Sequence, residues 1–146
     1  MLIVYASRTG NVTRFVQKLA LPAQKITSGQ ERVQEPCLLI TYTTGMGEVP
    51  EEIQRFMQHN HQHVLAVAGS GNRNWGKNYA RSADRIAQQW NIPVLMKFEL
   101  SGRPQDVACF LEGAQRLEHH RHPEQEFAQP RTQQSGASEE RRLLPT

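Results

Sequence analysis

The sequence predicts an α/β domain built on a doubly wound, five-stranded parallel sheet in the order 2-1-3-4-5, and three observations predict it. Short apolar runs, strongest at residues 2–6 (LIVYA), 37–42 (CLLITY) and 64–68 (VLAVA), have the length and composition of strands buried on both faces. Each run stops at a loop rich in Gly, Ser, Thr or Asn, and an apolar pattern of helical period follows. Such alternation implies parallel strands joined by right-handed crossovers, which gather the strand-following loops at one edge of the sheet. In a five-stranded sheet of this order the ligand crevice lies between the first and third strands.

Taken in order, residues 2–6 form the first strand and Ser7, Arg8, Thr9, Gly10 and Asn11 follow at once. Val12, Phe15, Val16 and Leu19 then recur at i, i+3, i+4 and i+7, so residues 11–20 read as an amphipathic helix that begins inside that loop. Free amides at a helix start, hydroxyls from Ser7 and Thr9 and a permissive Gly10 make an anion site, and a terminal phosphate fits there without a lysine. Pro22 closes the helix, a weak strand is expected over 24–27, and 28–35 is a polar loop. The strand at 37–42 leads into Thr43-Thr44-Gly45-Met46-Gly47-Glu48-Val49-Pro50, where Pro50 suits the first turn of a helix burying Ile53, Phe56 and Met57.

The strand at 64–68 delivers the loop GSGNRNWG, residues 69–76, which invites two motif readings. Gly71, Gly76 and Lys77 match most of a P-loop, but Asn78 stands where a hydroxyl must reach Mg²⁺, Trp75 is too bulky for a phosphate cradle, and no apolar run ends in an Asp. The dinucleotide fingerprint also fails, because Asn74 occupies the place of its third glycine. Tyr79, Ala83, Ile86, Ala87 and Trp90 mark the next helix, residues 93–98 the last strand, and 103–118 the last helix, with Val107, Phe110, Leu111, Ala114 and Leu117 inward. From His119 onward apolar periodicity is lost, so residues 1–118 are expected to form one domain and 119–146 a polar, disordered tail.

A chain of 146 residues can bury one such core. The net charge of +3 is modest, and Arg14, Arg55, Arg81, Arg85 and Arg116 fall on different helices with no aromatic interleaved in a basic run, so no nucleic acid partner is expected. No stretch nears the ~20 apolar residues of a membrane span, and residues 1–20 lack the pattern of a signal peptide, which predicts a cytoplasmic protein without a membrane partner. Cys37 and Cys109, without a C-x-x-C spacing, read as two reduced core thiols. His59, His61 and His63 could put two imidazoles on one side, but no carboxylate or Cys accompanies them, so a turn is favoured over a metal site; His119, His120 and His122 read the same way.

Four stretches together carry a family resemblance: S-x-T-G-N-V-x-R-F at 7–15, T-Y-T-T-x-x-G-x-V-P at 41–50, G-S-G-N-R-N-W-G at 69–76 and K-F-E-L-S-G at 97–102. In this order over residues 1–118 they resemble NrdI, the flavodoxin-like FMN protein of class Ib ribonucleotide reductase systems. The resemblance implies FMN as cofactor and a reduced protein that reacts with oxygen to supply an oxidant, superoxide. That oxidant assembles the dimanganese-tyrosyl radical cofactor of the small reductase subunit. Its partners are then that subunit, an unidentified flavin reductant and oxygen. Carried onto this chain, Ser7, Thr9, Gly10 and Asn11, flanked by Arg8 and Val12, hold the phosphate. Thr43, Thr44, Gly45, Met46 and Gly47 run along the isoalloxazine, while Asn72, Asn74, Trp75 and Gly76, with Ser70 and Gly71 of the same loop, face its other side. The tail beyond His119 departs from the family, and residues 46–48 vary within it.

No catalytic dyad is expected, because the flavin carries the chemistry and the loops tune it. Gly45 or Gly47 could turn a peptide carbonyl toward the flavin at low strain, which favours one-electron steps. Two rivals are an ordinary flavodoxin-type electron carrier and a non-catalytic module for another phosphate ligand. Such carriers are typically acidic, whereas this chain is slightly basic and places Arg73 and Lys77 beside the third loop.

Overall fold

The structure, a computed structural model, describes residues 1–121. Strands β1 (Leu2–Tyr5), β2 (Ala23–Lys25), β3 (Cys37–Thr41), β4 (Val64–Gly71) and β5 (Val94–Glu99) form one sheet in the order β2-β1-β3-β4-β5, with every neighbouring pair parallel. Helices α1 (Asn11–Leu19), α2 (Glu51–Asn60), α3 (Arg81–Trp90) and α4 (Pro104–Arg121) connect and follow the strands. The chain divides into two units after Leu111, and the described part of the second, residues 112–121, is the C-terminal portion of α4. That helix runs to Arg121, past the end expected at Glu118, and the expected tail from residue 122 lies outside the described residues. No helix among the described residues is long and apolar enough to cross a membrane.

Side-chain alternation along the strands builds two cores. Val4, Leu39 and Val67 meet Ile53, Phe56 and Met57 of α2 and Ala83 and Ile86 of α3 in one buried cluster. The other face carries Phe15 of α1, stacked on Phe98 of β5 at 3.9 Å between centroids and edge-on to Phe110 of α4 at 5.8 Å. All three rings are fully buried. The apolar stripe Val12, Phe15, Val16 and Leu19 is the buried face of α1, as its spacing required.

Besides the end of α4 and the weak strand β2, which is Ala23–Lys25 rather than 24–27, three boundaries differ from the sequence reading for physical reasons. Pro50 caps α2 from outside its first turn, leaving Glu51 and Glu52 in that turn, where the helix dipole favours carboxylates. Helix α3 begins at Arg81 rather than Tyr79, because Ala80 is held left-handed at φ 48° and Tyr79 is extended. The largest change is in β4: Gly69, Ser70 and Gly71 belong to the strand and pair with Lys97, Phe98 and Glu99. A Cβ on Gly69 would lie 2.9 Å from that of Ala83, and one on Gly71 only 2.5 Å from the Ala80 nitrogen. These two glycines let the start of α3 press against the sheet.

The polar segment after β2 is pinned to α2. Asn60, buried at the end of that helix, accepts from the Val33 amide at 3.0 Å and donates to the carbonyls of Glu31 at 2.8 Å and Phe56 at 2.9 Å. His61–His63 form a short 3-10 turn, with the His61 ring stacked on Trp90 at 4.7 Å. Among the described residues no three His, Cys, Asp or Glu converge on a metal position. Cys37 is buried, and desolvation, with Glu35 adding to it, pushes its thiol up to about 12. Cys109 is exposed on α4 rather than in the core, which corrects the reading of both thiols as buried.

Candidate cofactor site

At the carboxyl edge of the sheet, the loops after β1, β3 and β4 and residue Leu100 enclose a cleft of about 330 Å³, within the range of small-ligand sites. The order β2-β1-β3-β4 makes the chain leave β1 and β3 in opposite directions, toward β2 and toward β4, so the cleft sits where two loops diverge. Ser7, Arg8 and Thr9 of the first loop line it with Asn11 and Val12 at the start of α1, Thr43, Thr44 and Gly45 line it from the second, and Ser70 and Gly71 at the end of β4 with Asn72 and Trp75 from the third. Gly10, Met46, Gly47, Asn74 and Gly76 belong to the same three loops but lie outside that lining.

The first loop presents donors. Gly10, at φ 91°, turns the chain into α1 without a side-chain cap, so the amides of Asn11 and Val12 have no partner within the helix. Ser7 Oγ accepts from the Thr13 amide at 3.3 Å and Thr9 Oγ1 accepts from Asn11 Nδ2 at 3.3 Å, each hydroxyl keeping its own proton to give. Arg14 folds back over the loop and donates to Asn11 Oδ1 at 2.6 Å. With Arg8 it puts two guanidinium groups in this loop. The place of Arg14 beside this loop was missed from sequence, although its i, i+3 spacing from Asn11 carries the signal.

The second loop is a closed turn. Thr44 and Glu48 exchange backbone bonds, the Thr44 amide to Glu48 at 3.1 Å and the Glu48 amide to Thr44 at 2.8 Å, across a chain reversal with positive φ at Gly45 (51°) and Gly47 (97°). Glu48 Oε1 accepts from the Met46 amide at 3.0 Å and lies where a Cβ on Gly45 would be. Gly47 is buried against Arg81, whose Cδ would be 2.8 Å from an added Cβ, while Met46 is 71% exposed at the tip. Tyr42 also lines the cleft and was not singled out as a site residue, because its place in an apolar run reads as core. Burial first, then its hydrogen bond to Glu52 and that carboxylate's charge, push its phenol up to about 12, against a smaller opposing pull from Arg8.

In the third loop Asn72 Oδ1 accepts from the Asn74 amide at 2.9 Å, and Trp75, 45% exposed, lines the cleft. Leu100 was also missed. It is left-handed at φ 56°, its amide donating to Gly71 at 3.0 Å and its carbonyl accepting from Ser70 Oγ at 2.6 Å. Arg73 is not the free cation the sequence suggested: its Nε lies 3.6 Å from Glu99 and its guanidinium 5.0 Å above the Tyr79 ring. Lys77 is exposed.

Against known proteins, the profile of the family described as NrdI flavodoxin-like matches residues 3–112. The chain belongs to that family. It is 48% identical over 115 residues to Protein NrdI of Bacillus licheniformis, covering 79% of this chain and 88% of that protein. Protein NrdI of Macrococcus caseolyticus is 47% identical over 110 residues, covering 75% and 85%. Among solved structures, oxidised flavodoxin 1 from Bacillus cereus superposes with a TM-score of 0.55 at 21% identity over 81% of this chain and 97% of its own. A short-chain flavodoxin associated with a bacterial microcompartment gives 0.58 at 20%, over 78% and 93%. These structures share the fold.

Membership in the NrdI family implies FMN, and the residues present fit it. A phosphate needs donors and positive charge, which the first loop has in the Ser7 and Thr9 protons, the α1 amides, Arg8 and Arg14. A flat ring needs apolar walls, which Tyr42, Trp75 and Leu100 provide around the rest of the cleft.

Proposed function

We propose that this chain holds FMN in the cleft and, with the cofactor reduced, converts oxygen to superoxide for the small subunit of a class Ib ribonucleotide reductase. There the oxidant assembles the dimanganese-tyrosyl radical cofactor. The observation that carries the reading is the pairing of an uncapped α1 start with two hydroxyl protons free to donate, in a chain of the NrdI flavodoxin-like family.

Within the protein, the first loop binds the phosphate through neutral and charged donors, and the closed turn at 44–48 with Tyr42, Trp75 and Leu100 orients the ring. When bound and reduced, FMN supplies the single electrons that oxygen accepts. Met46 at the tip of the turn and the half-exposed Trp75 and Leu100 leave an apolar rim around the opening, which suits docking of the small subunit. Residues 1–118 are the FMN-binding domain in this reading, 119–146 an appendage, and the protein works in the cytoplasm on electrons from a separate flavin reductant.

The first test is the visible spectrum of the purified protein. FMN bands released on denaturation support the reading, and a colourless protein that takes up no added FMN contradicts it, favouring a module for another phosphate ligand.

A further inference from the structure

Beside the cleft lies a buried pair of hydroxyls whose protons can be assigned by counting. Ser82 Oγ, in the first turn of α3 and fully buried, is 2.7 Å from the Tyr42 carbonyl. A carbonyl can only accept, so the one proton of Ser82 is spent there. Thr43 Oγ1 lies 2.9 Å from Ser82 Oγ, and with Ser82 already committed Thr43 must be the donor between them. The Ser82 amide meanwhile donates to Thr43 Oγ1 at 3.3 Å. Thr43 therefore has no proton left and one lone pair unused, and it lines the cleft at 8% exposure.

The contrast with the first loop is one of polarity. Ser7 and Thr9 are occupied as acceptors and keep their protons, whereas Thr43 is occupied as a donor and keeps an acceptor. We propose that Ser82, which does not touch the cleft, is a positioning residue that fixes Thr43 as an acceptor-only group for an O–H or N–H donor of the bound flavin. This rests on the FMN reading above. At neutral pH the phosphate and the ring carbonyls offer Thr43 no usable donor. The ribityl hydroxyls and a ring N–H do, so the fixed polarity selects which part of the cofactor this side of the cleft can hold.

The experiment compares apo-protein titrated by fluorescence with FMN, riboflavin and lumiflavin, for the wild type, Thr43→Val, Thr43→Ser, Ser82→Ala and the double variant Thr43→Val/Ser82→Ala, with the melting temperature of each apo-protein. The loss of one neutral hydrogen bond weakens binding about fivefold. Thr43→Val should weaken FMN and riboflavin alike by that factor, because the phosphate is not its partner, and Thr43→Ser should restore binding. A penalty that disappears with lumiflavin assigns the donor to the ribityl chain, and one that persists assigns it to the ring; either supports the proposal. Ser82→Ala should weaken binding as well, and the double variant should bind no more weakly than Thr43→Val alone.

A penalty on FMN but none on riboflavin would put Thr43 at the phosphate and overturn the proposal. Strictly additive losses, or lower melting temperatures with unchanged affinities, would make the pair a structural clamp and do the same. If Thr43→Val melts too low to titrate, Ser82→Ala alone decides by whether riboflavin affinity falls. A wild-type protein that binds none of the three flavins overturns the FMN reading itself, a result distinct from flavin binding that ignores Thr43 and Ser82.

Discussion

The Tyr42 hydroxyl donates to Glu52 Oε2 at 2.6 Å, tying the ring that walls the cleft to the first turn of α2. A phenol held to a carboxylate keeps its proton longer than one in water. The Tyr42 pKa is raised from 10.0 to about 12, by burial first and then by Glu52. The folded state favours the protonated form, so the stability this contributes is complete below pH 10, the unfolded value, and is lost as pH rises through about 12. The absorbance difference at 295 nm between wild type and Tyr42→Phe should develop near pH 12. A difference that develops near pH 10 would mean that the phenol is not held this way.

At the anion end, Thr9→Ala combined with Gly10→Val should weaken FMN binding by at least about tenfold, since a hydroxyl donor is lost to a charged group. The second change puts a β-branched residue at φ 91°, with a Cβ 3.0 Å from Arg14 Nη1. The loop is at the surface, so the apo-protein should stay folded, with its melting temperature lowered by the strain at position 10; Thr9→Ala alone, free of that strain, should weaken FMN binding in the same direction. Fluorescence titration measures the affinity, and an unchanged value would move the phosphate elsewhere.

Glu31 predicts an acid limit. Burial alone would raise its carboxyl, but donors outweigh this, namely the amides of Thr27, Ser28 and Glu31 itself with the Thr27 hydroxyl, and hold it at about 2 against 4.5. The ionised form is the favoured one in the fold, so its stabilisation is complete above pH 4.5 and is lost as pH falls through about 2. Glu31→Gln should therefore melt below the wild type at pH 7, with the gap narrowing progressively from pH 4.5 downward. A gap that is constant with pH would mean that the loop at 27–31 does not depend on this charge.

The sheet order was legible because it follows from local signals, continuous apolar runs alternating with apolar patterns of period 3.6, and the loop at 7–11 was legible as part of the cleft lining from hydroxyls and a glycine at a helix start. The assignment of Gly69 and Gly71 to a loop missed because a glycine needed for close packing of α3 and a glycine needed for a turn look alike in sequence. Tyr42 and Leu100 were missed for a related reason. Tyr42 ends an apolar run and reads as core, while Leu100 follows the last strand as an apolar residue with no polar group to mark it, and no local pattern announces the left-handed turn that sets it beside the cleft. The pairing of Arg73 with Glu99 spans 26 positions and no local pattern announces it.

That pairing changes which charge can test docking. Arg73→Glu would set a second carboxylate against Glu99 and disturb the loop that carries Trp75, so Lys77, which is exposed, is the cleaner probe. Lys77→Glu should leave FMN affinity within about twofold, because the proposed phosphate site is at another loop. It should slow productive docking on the small subunit, with the larger effect at low salt. Equal rates at low and high salt for wild type and variant would remove Lys77 from the interface.

The most direct test of the central claim is to mix the reduced, FMN-loaded protein with the cognate small subunit carrying Mn²⁺, admit oxygen, and measure tyrosyl radical by electron paramagnetic resonance. The account predicts radical that depends on the reduced protein and on oxygen together. No radical from a protein that still passes electrons to other acceptors would contradict it and leave a plain electron carrier in its place.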